Sequence, residues 1–183
     1  EIVGACNSSQ WSGTVAIDKD GIPLMNSIIW MDTRAAKYAK EFHKGLLQID
    51  GYNIFKMLKW IKRTSGGPSL SGKDPISNIS WLQNEKPNIY NKTYKFLEPQ
   101  DYINYKLTGK IASSFATIQM HWVTDIRDIN NITYSDKLIK KLKIEKEKLP
   151  QDLKWSTDVL DNVESKVADE LGLEKNTKVV MGA

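Results

Sequence analysis

Two clusters in this 183-residue chain bring together side chains that could do chemistry as a group. The first is Asn7-Ser8-Ser9-Gln10-Trp11-Ser12-Gly13-Thr14, where amides and hydroxyls surround one indole. Directional donors and acceptors beside a flat apolar ring suit a polyol or sugar, whose hydroxyls need hydrogen bonds and whose C–H face packs on an aromatic surface. The alternative is a polar turn with Trp11 in the core. The second cluster is Trp30-Met31-Asp32-Thr33-Arg34. Asp32 lies just before a predicted helix, where orphan amides and the helix dipole favour a carboxylate. Arg34 adds a fork of donors and Trp30 a second ring. Here the alternative is that Asp32 or Thr33 caps the helix, with Arg34 as its partner and Trp30 in the core.

Other chemistries are poorly supplied. His43 and His121 are the only histidines and Cys6 the only cysteine, which makes a zinc site improbable. There is no Gly-x-x-x-x-Gly-Lys-[Ser/Thr] loop and no Gly-x-Gly-x-x-Gly turn, so a nucleotide, if used, is bound mainly elsewhere. The formal charge of +4 is much weaker than the clustered excess of a nucleic-acid binder. The lysine-rich stretch from Lys137 to Lys148 is interrupted by Glu145 and Glu147 and reads as a solvated face. No apolar run reaches the ~18 residues needed to cross a bilayer, and no leader-like segment opens the chain. With a single cysteine, a reducing, cytoplasmic setting is expected.

A composition of 40% hydrophobic and 26% charged residues excludes collagen, low-complexity disorder and disulfide scaffolds. Apolar runs at Ile2-Val3, Thr14 to Ile17 and Ser27 to Trp30 predict strands, with Asp18-Lys19-Asp20-Gly21 as a hairpin connection. Helices are predicted from Thr33 to Gly45 and from about Tyr52, with Ile54, Phe55, Leu58 and Ile61 as an apolar stripe. Pro75 opens a further helix with Ile76, Ile79 and Leu82 on its buried face, and Pro87 stops or restarts it. A strand at Tyr94 to Leu97 precedes a helix from Pro99 that Thr108-Gly109 closes. Later elements are helices near 135–142 and 163–171 and a terminal strand from about Lys178. Strands first, then helices mixed with isolated strands, predict an α/β or α+β domain with a mixed sheet. Both ends run out in strand-like sequence, so a segment of a longer protein is expected.

The order of motifs is more specific than any one of them. Ser9 to Thr14, the hairpin Val15 to Leu24, and Ile28-Ile29-Trp30-Met31-Asp32-Thr33-Arg34 resemble the amino-terminal domain of the FGGY carbohydrate kinase family, nearest its xylulokinase-like members. Ile79-Ser80-Trp81-Leu82 with Glu85 to Tyr90 resembles the family's tryptophan helix and acidic-proline segment. Phe96-Leu97-Glu98-Pro99-Gln100-Asp101-Tyr102, continuing to Leu107-Thr108-Gly109, resembles its leucine-x-proline-x-aspartate-tyrosine signature.

The resemblance implies an actin-like, ribonuclease-H-like domain with a mixed sheet and flanking helices, incomplete at both ends, spanning residues 1–183. It also implies a cleft enzyme that transfers the γ-phosphoryl of ATP, with magnesium, to a sugar or polyol hydroxyl, a xylulose-like pentulose first. This domain would supply sugar contacts, and a carboxy-terminal domain absent from the chain most of the ATP site. The family's catalytic aspartate follows a strand end similar to Val179-Val180-Met181-Gly182-Ala183, so no catalytic residue is assigned and the chain alone is expected to be inactive. The implied sugar contacts are Gln10, Trp11, Ser12, Trp30, Asp32 and Arg34, with Lys73 and Asp74 from the loop at 66–75 as secondary candidates. Trp11 and Ser12 replace residues on which the family's named preferences rest, so those preferences do not transfer. His121 is expected to be packed, and Asp101 and Tyr102 to cap and pack. No nucleic-acid or membrane partner is expected, and a homodimer is left open. Competing readings are a non-catalytic sugar-binding or regulatory module of the same fold, and an actin-like scaffold.

Overall fold

The computed structural model describes residues 2–182, so Glu1 and Ala183, the outer ends of the first and last predicted strands, lie outside the described residues. The chain begins with β1 (Gly4–Cys6), β2 (Val15–Ile17), α1 (Ala36–His43), β3 (Gln48–Ile49), β4 (Tyr52–Asn53) and α2 (Ile54–Thr64). It continues through α3 (Pro75–Glu85), α4 (Pro87–Lys92), β5 (Lys95–Leu97), α5 (Pro99–Thr108), β6 (Ala112–Ser114) and α6 (Phe115–Ile118). The last third holds β7 (Thr124–Asp125), β8 (Thr133–Tyr134), α7 (Asp136–Leu142), β9 (Asp152–Lys154), β10 (Val159–Asn162), α8 (Ser165–Leu171) and β11 (Lys178–Val180).

The sheet structure is mixed, as expected. β11 is the centre of a three-stranded unit, parallel to β1 and antiparallel to β10. β2 runs antiparallel to β5, setting Val15 opposite Leu97 and Ala16 opposite Phe96, and β6 runs parallel to β9. Because β1 and β11 are parallel, they end side by side, at Cys6 and Val180, and the chain runs on into Asn7 and Met181. Helix α5 ties these ends together. Gln100 and Asn104 both donate side-chain hydrogen bonds to the Met181 carbonyl at 2.8 Å, and Asn7 donates to Asn104.

Proline and glycine punctuation sets the helices. Pro75, Pro87 and Pro99 each stand in the first turn, where a missing N–H costs nothing, and Gly109 closes α5 in the left-handed region. The stripe of α3 is buried as predicted, with Ile76, Ile79 and Leu82 joining Trp60, Phe96, Tyr90 and Leu142 in the main core. Each such side chain contributes ~1.5–3 kcal/mol by leaving water.

Four local expectations are corrected. The run Ser27 to Trp30 is only bridged at Ile28 to Thr14, because the return arm takes four steps between Leu24 and Ile28 while β2 takes two from Ala16 to Thr14, and the extra residues break the ladder. Helix α1 begins at Ala36, after a turn in which the Asp32 carboxylate accepts from the Arg34 amide and the Thr33 carbonyl from Ala36. A hairpin at β3–β4, turning on Asp50 and Gly51 with φ of +49° and +84°, precedes α2, which Asn53 caps by accepting from the Lys56 amide. Finally, Phe55, Leu58 and Ile61 are exposed, because α2 turns Trp60 and Thr64 inward instead and the Trp60 indole donates to the Trp122 carbonyl.

Candidate functional site

The loop from β1 to β2 carries Gln10, Trp11 and Ser12 to the surface, and its geometry is fixed from beneath. Gly13 is buried, and its amide donates to the Glu98 carboxyl at 2.9 Å. A Cβ at position 13 would stand 2.4 Å from the Pro99 ring. The β2–β5 register explains this closeness, since Val15 pairs with Leu97 and the two chains run on together into Gly13 and Glu98. Ser12 takes φ +54°, a conformation a non-glycine residue holds only when its surroundings enforce it.

Three regions meet here. Gln10, Trp11, Ser12, Trp30 and Lys73 line one cavity of about 380 Å³. The core alternative for the two indoles is thereby overturned, since Trp11 is 60% and Trp30 47% exposed. Lys73 arrives on the loop before α3, held on both sides. Gly72, at φ +73°, packs so tightly that a Cβ would sit 2.2 Å from the Ala36 amide nitrogen. Asp74 turns inward, its carboxylate accepting from the Ser69 amide and the Trp122 indole, both at 2.7 Å. Between these anchors, the Lys73 ammonium lies 5.6 Å from the centre of the Trp30 ring.

The remaining predicted residues lie outside that cavity lining. Asp32 and Arg34 pair with each other through two close contacts, Nε to Oδ2 at 2.7 Å and Nη2 to Oδ2 at 2.6 Å. The guanidinium also stacks 4.9 Å over the Trp81 ring, and the Arg34 hydrogen bond holds the Asp32 carboxyl below the usual carboxylate range. Asp74 has the opposite character, because burial raises its carboxyl while both of its oxygens are engaged internally. It positions Lys73 and does not face the cavity.

Sequence reasoning missed Glu98 as a support of the loop. Glu98 is nearly inaccessible, at 2% exposure, and belongs to a buried polar group with Asp101 and His121. Its second oxygen lies 3.4 Å from His121 Nε2. Asp101 accepts from Ser113 and Thr117. Burial dominates all three groups: Glu98 is pushed well up, Asp101 up to about 7 and His121 down to about 4, leaving a neutral imidazole. His121 is packed, as expected. The signal for Glu98 was its place immediately after β5, but only the strand partner reveals what it meets.

Comparison with known proteins decides the family. The family described as FGGY family of carbohydrate kinases, N-terminal domain, matches residues 1–183. The chain belongs to the FGGY carbohydrate kinase family. A xylulose kinase of Staphylococcus xylosus is 29% identical over 182 residues, which is all of this chain and 35% of that protein. The crystal structure of a gluconate kinase from Lactobacillus acidophilus superposes with a TM-score of 0.78 at 26% identity, covering 96% of this chain and 33% of that one. A xylulose kinase from Rhodospirillum rubrum shares the fold with a TM-score of 0.82 at 21% identity, covering 99% and 34% of the two chains. The chain thus spans about a third of the length of the relatives it matches, and as the family's amino-terminal domain it bears out the actin-like reading of the fold.

Proposed function

We propose that the whole protein containing this domain is an ATP-dependent carbohydrate kinase, and that the cavity lined by Gln10, Trp11, Ser12, Trp30 and Lys73 receives the sugar or polyol acceptor. The observation that carries this reading is the pair of exposed indoles lining one cavity together with a few polar groups. A tryptophan ring left half in water gives up burial energy that an acceptor's C–H face can recover, while Gln10, Ser12 and Lys73 offer hydrogen bonds to its hydroxyls.

Family membership supplies the reaction class, phosphoryl transfer, in which positioning and electrostatics carry most of the rate. One structural feature supports the division of labour. The ends of β1 and β11 are joined through Asn7, Asn104 and Met181, which sets the acceptor loop beside the strand end that the family resemblance places before the catalytic aspartate. ATP and its magnesium are proposed to be bound mainly outside this chain. A cytoplasmic location and free solubility suit such an enzyme, and among the described residues no helix is long and apolar enough to cross a membrane. The xylulose-like pentulose remains the acceptor suggested by motif order.

The test is release of ADP by the full-length protein supplied with ATP and a panel of ketopentoses, alditols and sugar acids. Turnover with at least one supports the reading. A full-length protein that binds such acceptors without releasing ADP is the non-catalytic module instead.

A further inference from the structure

A second cavity, of about 680 Å³, shares no lining residue with the acceptor cavity. The two stand at opposite ends of α3, since Lys73 precedes its start and Gln83 and Asn84 lie in its last turn. Unpaired lysines are common on this chain, and single ones mean little. Here three of them, Lys56 from α2 and Lys141 and Lys143 from the end of α7, converge on one cavity whose only acid, Glu41, is already paired with Lys44. The Lys141 ammonium lies 4.5 Å from the centre of the buried Trp60 ring, and burial followed by the charges of Lys56 and Lys59 lowers it to about 8. Like charges crowded in this way are relieved by an anion between them.

A separate feature on the α3 wall also calls for a ligand. Ser80 is 4% exposed and stands one turn before Asn84 on the same face, and its hydroxyl has no hydrogen-bond partner among the described residues. A buried hydroxyl left unpaired is costly, and a bound molecule would satisfy it. The side-chain amide of Gln83 donates to the Lys143 carbonyl at 2.9 Å, and that of Asn84 to the Ser80 carbonyl at 2.8 Å. Because both partners are carbonyls, the amide nitrogens must face them, which leaves the two amide oxygens as acceptors.

We infer that this second cavity binds a phosphorylated polyol, with the phosphate on Lys56, Lys141 and Lys143 and the hydroxyls on Ser80, Gln83 and Asn84. A phosphomonoester brings a charge of about −1.5 to −2 and three terminal oxygens, one for each ammonium, where a carboxylate brings a single charge and two oxygens. A bare anion would meet the amide oxygens with no donor to offer them. Hydroxyl groups supply those donors, whereas an amine would add a cation beside the lysines. The half-buried Phe42 ring gives the carbon skeleton a surface to pack on.

The experiment titrates the full-length protein calorimetrically, without ATP, with ribitol phosphate, ribitol and inorganic phosphate. The native protein is compared with Lys56→Gln, Lys141→Gln, Ser80→Ala and, in the acceptor cavity, Trp11→Ala. Lys141→Arg keeps the cation over Trp60 in case its loss disturbs folding, and the melting temperature of each variant verifies that folding is intact. Ribitol phosphate is expected to bind, with each Lys→Gln variant weakening it ~10- to 100-fold, Ser80→Ala ~3- to 10-fold, Lys141→Arg less than ~3-fold and Trp11→Ala less than ~2-fold. Inorganic phosphate should bind ~10-fold more weakly through the same lysines, and ribitol should show no binding that depends on them. Ribitol phosphate binding that survives the lysine variants and is lost in Trp11→Ala belongs to the acceptor cavity and overturns the second site. Absence of binding by either phosphate overturns it as well. Equal affinity for ribitol phosphate and inorganic phosphate, with Ser80→Ala silent, overturns the polyol and leaves a site for free phosphate alone.

Discussion

Two polar regions meet at Gly13 and have opposite fates. On one side Gln10, Trp11, Ser12, Trp30 and Lys73 face a cavity, with indoles half in water and an ammonium without a counter-charge. On the other, Glu98, Asp101 and His121 are all but sealed from solvent and are shifted toward their neutral forms by burial. The first region is proposed to serve recognition, and the second supports the loop through Glu98. What separates them is access to water: the first group lines an open cavity, while burial holds the second toward its neutral forms. The sealed region holds the Gly13 amide, and through it the loop that displays the open one.

The largest effect on this contrast should come from breaking the link itself. Glu98→Ala leaves the Gly13 amide buried and unpaired, and a loss of ~1–3 kcal/mol is expected in chemical denaturation. Glu98→Gln, which keeps an acceptor oxygen, should recover most of it. Equal stability of the two variants would mean that the carboxyl does not hold the loop.

A second effect concerns pH within the sealed region, where Glu98, Asp101, His121 and Tyr134 are the titratable neighbours. His121 is lowered from 6.5 to about 4, so its contribution to stability is full above pH 6.5 and is lost as pH falls toward 4. Asp101 is raised from 3.8 to about 7, so its contribution is full below pH 3.8 and is lost as pH rises toward 7. Between those limits the two trends oppose. Relative to the native protein, Asp101→Asn should therefore gain in melting temperature as pH is raised from 4 to 7, whereas His121→Gln should fall behind over the same interval. Variants that track the native curve in parallel would show that these groups are not set by burial.

The smallest effect is expected at Asp32. Its ion pair with Arg34 is on the surface, so Asp32→Ala should change stability by no more than ~1 kcal/mol, and acceptor KM should stay within ~2-fold because Asp32 does not line the cavity. A large rise in KM with unchanged stability would place Asp32 in the acceptor site after all and widen the open region.

The difference between the regions also marks what could be read from sequence. Proline and glycine positions gave α3, α4 and α5 their starts and α5 its end, because these residues act through their own backbone. The loop Gln10 to Ser12 and the ring of Trp30 were legible as a polar and aromatic combination, and Lys73 through the family resemblance. The outward face of α2 was misread because a stripe of Phe55, Leu58 and Ile61 carries no mark of which side meets the core, and Trp60 outweighs it. Glu98 was hidden for a different reason. Its partner Gly13 is 85 residues away, and only the pairing of β2 with β5 brings them together. Asp32 read as a leading and Asp74 as a secondary candidate in sequence, yet internal donors claim both carboxylates.

The central claim is that the exposed indoles exist to hold the acceptor. Its most direct test is the acceptor kcat/KM of the full-length protein carrying Trp11→Ala or Trp30→Ala, measured beside Phe55→Ala, which removes an equally exposed aromatic ring from α2 outside the cavity lining. A fall of ~10-fold or more for each tryptophan variant, with melting temperatures unchanged and Phe55→Ala at the native rate, is the predicted result. If all three variants retain native acceptor kinetics, the cavity is not the acceptor site.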